Sequence, residues 1–591
     1  QRQMCIRDSY SFLGTIAGIW VSVILGTLLI FLTIGVIAAS GDSKGSVKIK
    51  DDSILHLQLN GTVADRASTR NLIDELYGTE TATINLNDIV DAIAAAKDDD
   101  RIKGIYLDCG GMSVGLAQAQ AIIKALDDFK KSGKWVFSYA DTYSQGDYYV
   151  ASAADSLFIN PIGMIDIHGL SSTTMYFKDL LDKIGVEAQV VKVGTYKSAV
   201  EPFILDGMSD ANREQQEHFL GNIWKYMKER LAQRRKVPTD SIDSWANGFS
   251  FARNGVYYQK ERLVDGVKYR HQMEKMMADK TGKEKEPSLI AYTDYLMAAE
   301  SPLKKHKDSG KNIAVLYALG DITESGSDGI ASDRLVPVIL DLADNENIDG
   351  LILRVNSGGG SAYASEQIWE ALEQFKAKSK KPFYVSMSDV AASGGYYISC
   401  GADKIYAEPL TLTGSIGIFG IIPNIQPLLK DKLGVNTATV STNKGNFPSI
   451  MEPMSEGQRA AMQSYVDNGY ELFVGRCAKG RKRSVDQIKA IAEGRVWDGQ
   501  SALKNGLVDR LGGLDDALAD MTKALGADTY YITEYPEVKN KWWEMLLEMD
   551  PEMQSAVAGN DMAAASYCLK VMRQIRTIYP LQARMDYIRI N

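Results

Sequence analysis

Cysteine and histidine are scarce in this sequence, and basic residues do not outnumber acidic ones. Its 591 residues include 5 cysteines, an odd number without regular spacing, and 5 histidines. Such a set provides neither a disulfide framework nor a zinc-binding motif. The formal net charge of −9 argues against a nucleic-acid-binding protein. We therefore expect no metal site, no cofactor and no nucleic-acid partner.

Two common site motifs are also missing. The glycine-rich segment 356–361 follows a predicted strand, but no lysine follows it, so it is not a P-loop. The segment around Ser415 has Thr413 where the α/β-hydrolase pattern GxSxG requires glycine. No histidine is near Ser415 in the sequence to activate it. The histidine closest to site-like sequence is His168, which we expect to be buried and structural.

An uncharged stretch stands near the N-terminus. Residues 9–41 contain no charged side chain and are mostly apolar between Phe12 and Ala39. This length can cross a hydrocarbon core of about 30 Å. We predict an uncleaved transmembrane anchor in residues 1–40, with cleavage after the small residues 38–40 as the alternative. Basic residues flank the span on both sides and do not fix its orientation.

The rest of the chain contains an internal duplication. The matched positions are Gly146 with Gly394, Tyr148 with Tyr396, Tyr149 with Tyr397, and Pro161 with Pro409. A duplication of this length is a repeated domain, not a solenoid unit of about 20–50 residues. Helical patterns alternate with short apolar strands in both copies, which predicts an α/β fold with mostly parallel strands.

The duplication and the composition shifts predict the domain boundaries. We predict a first repeat over residues 51–277 and a second over residues 312–535. A polar bridging segment over 278–311 joins them, and a helical tail covers 536–591. The tail is expected to pack against the domains or to form oligomer contacts, and a membrane-surface contact is the alternative.

The two copies differ where chemistry would take place. Ser415 of the second copy matches Ile167 of the first, whereas Lys197 of the first falls opposite the decayed segment 443–446. Lysine can activate a serine hydroxyl, provided that burial lowers its pKa from about 10.4. We predict a composite site with Ser415 as nucleophile and Lys197 as base. The alternative interpretation is that both motifs are only turns.

Backbone amides near Ser415 could form an oxyanion hole. Gly359 and Gly360 follow a strand and could present N–H groups, and Ile416 directly follows the predicted nucleophile. Ser393, in the segment Ala-Ala-Ser-Gly-Gly, is a rival nucleophile. Its neighbours favour a small residue at a closely packed helix start instead.

Four motifs resemble the long form of the signal peptide peptidase A family, also called protease IV. They are Asn-Ser-x-Gly-Gly-Ser at 356–361, Ala-Ala-Ser-Gly-Gly-Tyr at 391–396, Thr-Leu-Thr-Gly-Ser-Ile-Gly-Ile-Phe-Gly at 411–420 and Gly-x-Tyr-Lys-Ser-Ala-Val-Glu-Pro-Phe at 194–203. The resemblance extends from the anchor to about residue 535. One departure is Gly358, where the family usually has proline.

The resemblance implies both a fold and an activity. The fold would be two tandem Clp-protease/crotonase-like α/β domains behind an N-terminal transmembrane helix. Ser415 and Lys197 would be nucleophile and general base of an endopeptidase that degrades signal-peptide remnants and other unfolded apolar peptides. The assembly would be a bowl-shaped homotetramer in the bacterial inner membrane, a single-pass protein with its catalytic domains on the periplasmic side.

Two other classes of protein are compatible with parts of the pattern. A crotonase-type acyl-CoA enzyme would use the glycine amides to stabilise a thioester enolate, but the membrane span and the Ser/Lys pair argue against it. A catalytically inactive membrane scaffold would not need the intact motifs. Labelling by a covalent serine probe would distinguish the scaffold from an enzyme.

Overall fold

The structure, a computed structural model, describes residues 48–66, 83–299, 310–326, 329–537 and 582–585. The predicted anchor in residues 1–40 lies outside the described residues, as does most of the predicted tail. Within the described ranges, no helix has the length and apolar character needed to cross a membrane.

The first repeat is built around a parallel β-sheet. The strands of this repeat are β1 (Ser53–Ala64), β2 (Thr83–Asn85), β3 (Ile102–Ser113), β4 (Trp135–Tyr143), β5 (Ser156–Ile165), β6 (Glu187–Val193), β7 (Gly266–Val267) and β8 (Leu289–Ala291), and all of them except β6 belong to that sheet. The sheet order is β2-β1-β3-β4-β5-β7, with β8 also paired to β1. Its central strands read as apolar runs because helices cover the sheet; Ile105 and Leu107 of β3, for example, are fully buried.

Helices connect and cover these strands. They are α1 (Leu86–Asp98), α2 (Leu116–Lys130), α3 (Gln145–Ala151), α4 (Lys178–Ile184), α5 (Glu201–Ile204), α6 (Asp210–Arg235), α7 (Thr239–Asn247), α8 (Gly255–Lys260), α9 (Arg270–Lys280) and α10 (Tyr292–Ala298). Leu126 and Phe129 of α2 are fully buried in the same apolar cluster as the strands. Burial of such an apolar face is the main source of a helix's stability in a domain.

The second repeat has the same plan. Its strands are β9 (Lys311–Leu319), β10 (Ile322–Thr323), β11 (Ile330–Ala331), β12 (Gly350–Ser357), β13 (Gly359–Ser361), β14 (Phe383–Ala392), β15 (Lys404–Ala407), β16 (Leu412–Gly414), β17 (Ile418–Asn424), β18 (Val496–Asp498), β19 (Arg510–Leu511) and β20 (Tyr530–Tyr535). Its helices are α11 (Ser332–Asp344), α12 (Ala362–Ser379), α13 (Gly394–Ser399), α14 (Glu456–Arg481), α15 (Val485–Lys489), α16 (Gly499–Asn505) and α17 (Leu514–Ala524). The main sheet follows the order β18-β16-β14-β12-β9-β20.

The long helices show the duplication most clearly. Helices α6 and α14 each have 26 residues and begin after a serine N-cap, Ser209 and Ser455. Each ends at a lysine with left-handed backbone, Lys236 with φ 55° and Lys482 with φ 54°. The predicted duplicated α/β fold is confirmed.

A third sheet combines both repeats. One more strand, β21 (Gln582–Arg584), comes from the C-terminal region, and the order is β11-β10-β13-β21-β17-β6. Strand β6 of the first repeat runs antiparallel to β17 of the second, with Val193 opposite Ile418. This pairing brings the segment after β6, which contains Lys197, to the segment before β17, which contains Ser415.

A buried ion pair fixes the two repeats to each other close to this sheet. Arg354 at β12 donates from Nη2 to Asp65 Oδ1 of the first repeat over 2.6 Å, and both side chains are almost fully buried. Asn356 Nδ2 donates to the other oxygen of Asp65 over 2.9 Å. Asp389 accepts the Ala117 amide of α2 over 2.8 Å. These bonds hold the start of the glycine segment 356–361 against the first repeat.

Candidate active site

Lys197 reaches across the repeat boundary to two serines. Its Nζ donates to Ser393 Oγ over 2.7 Å, to Ser415 Oγ over 3.1 Å and to the Ser415 carbonyl oxygen over 3.1 Å. All three side chains are buried, at 1%, 0% and 2% exposure respectively. The structure therefore brings the predicted pair together and adds Ser393 as a second hydroxyl on the same amine.

Glycines make room for the lysine side chain. A Cβ on Gly494, where φ is 79°, would lie 2.7 Å from Lys197 Cα, and a Cβ on Gly417 would lie 3.3 Å from Lys197 Cδ. Burial lowers the pKa of Lys197 well below its usual range. Burial thus favours the neutral form of the amine, which is the form that can accept a proton.

The sequence around Lys197 fixes its backbone from both sides. The Tyr196 amide donates to the Glu493 carbonyl over 2.9 Å. Gln215 Nε2 of α6 donates to the Tyr196 carbonyl over 3.0 Å. After the lysine, buried Glu201 accepts from Ser209 Oγ at the start of α6 over 2.5 Å. The motif Gly-Thr-Tyr-Lys-Ser-Ala-Val-Glu thus holds the Lys197 amine in a fixed, buried position and is not an exposed turn.

The two serines meet because their strands are neighbours. Strands β14 and β16 run parallel, with Ala392 opposite Gly414. Ser393 and Ser415 each follow directly, so they leave the sheet side by side. Ser393 was expected to be a small residue at a closely packed helix start. It does lie at the start of α13, and its hydroxyl also contacts Lys197.

Ser393 occupies a strand-to-helix turn. Its backbone has φ 55° and ψ −115°, a conformation that costs energy for a non-glycine residue. Helix α13 starts at the next residue, and the first amides of a helix have no partner within it. Ser393 therefore lies at the N-terminal end of α13, beside amides that have no partner within that helix.

The residues predicted to form the oxyanion hole lie in two places: Gly359 and Gly360 are on β13, and Ile416 directly follows Ser415. Gly359 and Gly360 form part of β13, and the Gly359 amide donates to Ser357 Oγ over 3.1 Å. A Cβ on Gly360 would lie 2.0 Å from the Ile322 carbonyl oxygen, so only glycine fits there. Ile416 is fully buried, and its carbonyl accepts the Gly494 amide over 2.8 Å.

In the corresponding region of the first repeat, a carboxylate already bonds the backbone amides. The carboxylate of Asp147 accepts the amides of Gly111 and Met112 over 3.3 and 3.1 Å. The matching residue in the second repeat is Gly395, where a Cβ would lie 2.6 Å from the Ser357 carbonyl oxygen. Gly395 has no side chain that could accept the equivalent amides of the second repeat, whereas the Asp147 carboxylate accepts those of the first.

Gly395→Asp should therefore inactivate the second repeat, because it introduces there the aspartate that the first repeat has at position 147. The carboxylate would occupy the space next to the glycine segment, and we expect kcat for peptide hydrolysis to fall about 10²- to 10³-fold, as when an oxyanion donor is lost. A fluorogenic peptide assay measures kcat, and urea unfolding checks the fold. The matched control, Asp147→Gly, should leave kcat within about twofold of wild type. Near-normal kcat in Gly395→Asp would contradict this account.

Two site features did not follow from the sequence. His168, expected to be buried, is exposed and contacts Asp166 over 3.1 Å. No sequence motif marks Gly494, because the need for glycine at this position comes from the close approach of Lys197, which is far away in the chain. The contrast between Gly395 and Asp147 was present in the aligned copies and could have been read from them.

Comparison with known proteins gives a consistent assignment. Residues 128–283 and 375–528 both match peptidase family S49. Protease 4 of Haemophilus influenzae is 36% identical over 512 residues, which cover 84% of this chain and 82% of the relative. Protease 4 of Salmonella typhi is 36% identical, with 86% and 84% covered. The chloroplastic serine protease SPPA of Arabidopsis thaliana is 28% identical, with 80% and 69% covered.

Proposed function

Because this chain belongs to peptidase family S49, we propose that it is a Ser/Lys endopeptidase of signal-peptide remnants and other unfolded apolar peptides. The resemblance to the signal peptide peptidase A family is confirmed by the two Protease 4 relatives, and the chain is a serine-type peptidase. The observation that carries the finer proposal is the buried amine of Lys197 within hydrogen-bonding distance of two serine hydroxyls.

We assign the attacking role to Ser393, with Ser415 as the second partner of the lysine. Ser393 Oγ makes the shorter contact with Nζ, 2.7 Å against 3.1 Å. It also has the strand-to-helix position in which nucleophiles of other hydrolases are exposed. The assignment of Ser415 as nucleophile, made from the sequence, is the competing proposal, and one pair of variants separates the two.

The reaction follows from these contacts. Neutral Lys197 takes the proton of the Ser393 hydroxyl while Oγ bonds to the substrate carbonyl carbon. The oxyanion is stabilised by N–H groups, for which Gly394 at the start of α13 and Gly359 are our candidates. The lysine ammonium returns the proton to the leaving amine as the C–N bond breaks. Water then attacks the acyl-enzyme by the same proton route and releases the acid.

The restricted approach to the site supports unfolded peptides as the substrate class. Both serines and the lysine are buried, so a folded protein could not bring a peptide bond to them. An extended chain can pair with the backbone of a strand edge, which requires little of its sequence. Apolar side chains would add selectivity of about 1–3 kcal/mol per methylene-scale difference.

The test compares three substrates of one enzyme preparation. We expect rapid cleavage of a synthetic signal peptide, slower cleavage of a polar peptide of equal length, and no cleavage of a stable folded protein. Enzyme pretreated with a fluorophosphonate is the control and should be inactive on all three. Cleavage of the folded protein as fast as the signal peptide would refute restricted access.

The cellular setting is part of the same proposal. The uncharged apolar run between Phe12 and Ala39 supports a single-pass anchor. Family resemblance supports the Clp-protease/crotonase-like fold, the homotetramer and the periplasmic side of the bacterial inner membrane. Protease added to intact spheroplasts should digest the catalytic region, and full protection would contradict this topology. Sedimentation of the detergent-solubilised protein should give a tetramer; a monomer would contradict the assembly.

A further inference from the structure

One short segment of the second repeat contacts both parts of the composite site. Residues 493–495 lead into β18. The Arg495 carbonyl accepts the Ser415 amide over 2.7 Å, and the Glu493 carbonyl accepts the amide of Tyr196, the residue before the predicted base, over 2.9 Å. The backbone of this segment therefore links a serine of the second repeat to the lysine motif of the first.

The side chain of Arg495 adds a second link between the same two parts. Its guanidinium carbon lies 4.7 Å from the centre of the Tyr196 ring and 4.7 Å from the centre of the Trp497 ring. Its Nη2 donates to Glu214 Oε1 of α6 over 2.8 Å. The other oxygen of Glu214 accepts the Tyr196 hydroxyl over 2.9 Å. A guanidinium suits this arrangement because it can stack on aromatic rings and donate within its own plane at the same time.

The arginine is largely shielded from water. Its side chain is 17% exposed, and its Nε is buried without a hydrogen-bond partner among the described residues. A buried donor without a partner costs free energy. The contacts with the two rings, rather than hydrogen bonds alone, therefore hold the guanidinium in this place.

The first repeat has no arginine at the matching position. Arg495 stands three residues before Asp498, the N-cap of α16, and Phe251 stands three residues before Asn254, the N-cap of α8. The Phe251 side chain is 50% exposed. The buried arginine is thus present in the copy that carries Ser415 and absent from the copy that lacks it.

We propose that Arg495 is a positioning residue of the active site, which holds the Lys197 motif of the first repeat against the serine segment of the second. This inference rests on the proposed peptidase function and adds a residue that acts through Tyr196 rather than on the reacting atoms. Because Tyr196 precedes Lys197 directly, a restraint on its ring limits the movement of the amine. A displacement of about 1 Å can lower a rate about 10²-fold, so the restraint should act on kcat rather than on KM.

The first experiment removes the guanidinium and then supplies it again. Arg495→Ala should lower kcat for a fluorogenic peptide about 10- to 100-fold, with KM within about twofold of wild type. Guanidinium chloride at about 20 mM, far below denaturing concentrations, should restore part of the lost kcat because the free cation can stack on the two rings. Methylammonium chloride at the same concentration should restore less, since its cation is not planar.

Two further variants complete this experiment. The matched control Arg253→Ala removes a guanidinium that also lies over a tyrosine, 5.2 Å from the centre of the Tyr257 ring, and should keep the wild-type kcat with or without guanidinium. Arg495→Lys keeps the charge but loses the planar group, so its kcat should fall about threefold to tenfold. It provides the same test if Arg495→Ala does not fold in urea titrations.

The pH profile separates positioning from a general loss of stability. Burial lowers the pKa of Lys197, and only the neutral amine can act as a base, so kcat/KM should rise with pH through that pKa. Loss of the Arg495 side chain would admit water to the amine and raise its pKa. The acid limb of the Arg495→Ala profile should therefore move to higher pH by about one unit, and guanidinium should move it back. A lower kcat with an unmoved acid limb and no rescue would mean that Arg495 only stabilises the fold, and would overturn the inference.

A last readout is independent of activity. Amide hydrogen exchange of residues 194–198 should be faster in Arg495→Ala than in Arg253→Ala, and guanidinium should slow it again. Unchanged exchange together with unchanged kcat in Arg495→Ala would overturn the positioning role while the peptidase function stands. Faster exchange in a protein whose wild type cleaves no peptide would instead overturn the proposed function and support the restraint on the lysine motif.

Discussion

Replacing Ser393 by alanine should reduce kcat/KM for peptide hydrolysis by a factor of about 10⁴ to 10⁶, the loss expected when a nucleophile is removed from a unit that acts together. The Lys197 amine would keep its contacts to the Ser415 hydroxyl and carbonyl. It would, however, have no hydroxyl at the start of α13 to deprotonate.

Ser415→Ala should have a much smaller effect. Lys197 would lose one hydrogen bond of about 1–3 kcal/mol, which corresponds to a reduction of about 10- to 100-fold in rate. Its contacts to Ser393 Oγ and to the Ser415 carbonyl do not involve the deleted hydroxyl. The Ser393→Ala/Ser415→Ala double variant should be little worse than Ser393→Ala alone.

Covalent labelling provides the direct comparison. A fluorophosphonate should modify Ser393 in wild type and in Ser415→Ala, as located by peptide mass spectrometry. If Ser415 is labelled and Ser393→Ala retains most of its activity, the nucleophile is Ser415, as the sequence predicted. The two outcomes are exclusive, because one acyl-enzyme forms at one oxygen.

The sequence predicted a composite site and assigned the nucleophile to Ser415 rather than Ser393, whereas the structure places both hydroxyls on Lys197. The first copy lacks the serine and the second copy lacks the lysine motif. Packing alone gives no reason for two such complementary losses, so they were enough to select Lys197 and Ser415. The pairing of Ala392 with Gly414 was not visible, since it depends on which strands are neighbours in the sheet. That pairing places Ser393 and Ser415 together although they are separate motifs in the chain.

The strand at Gln582–Arg584 shows a second limit of sequence reasoning. A segment of 3 residues carries no usable periodicity, and isolated strands have no stability of their own. It forms only because β13 and β17 present two unpaired edges to it. The prediction of helices for residues 536–591 used local spacing and could not include such edges.

Replacing Lys197 by methionine should abolish hydrolysis and at the same time stabilise the protein at neutral pH. Removal of the general base should lower kcat by about 10⁴-fold or more. The free energy of unfolding should rise because an apolar side chain of similar length replaces a buried amine with a lowered pKa. Activity and stability would thus change in opposite directions at one position.

The pH dependence identifies the cause of that stabilisation. Below the folded-state pKa of Lys197 the wild type carries the full cost of the buried amine. The cost shrinks as pH rises, because the unfolded chain binds the extra proton up to about pH 10.4. The advantage of Lys197→Met in urea unfolding should therefore be larger at pH 7 than at pH 10. The control Lys183→Met, on the exposed helix α4, should alter neither activity nor this difference. A Lys197→Met protein that is equally destabilised at both pH values would mean that the amine is not held neutral by burial, and the lysine could not then be the base.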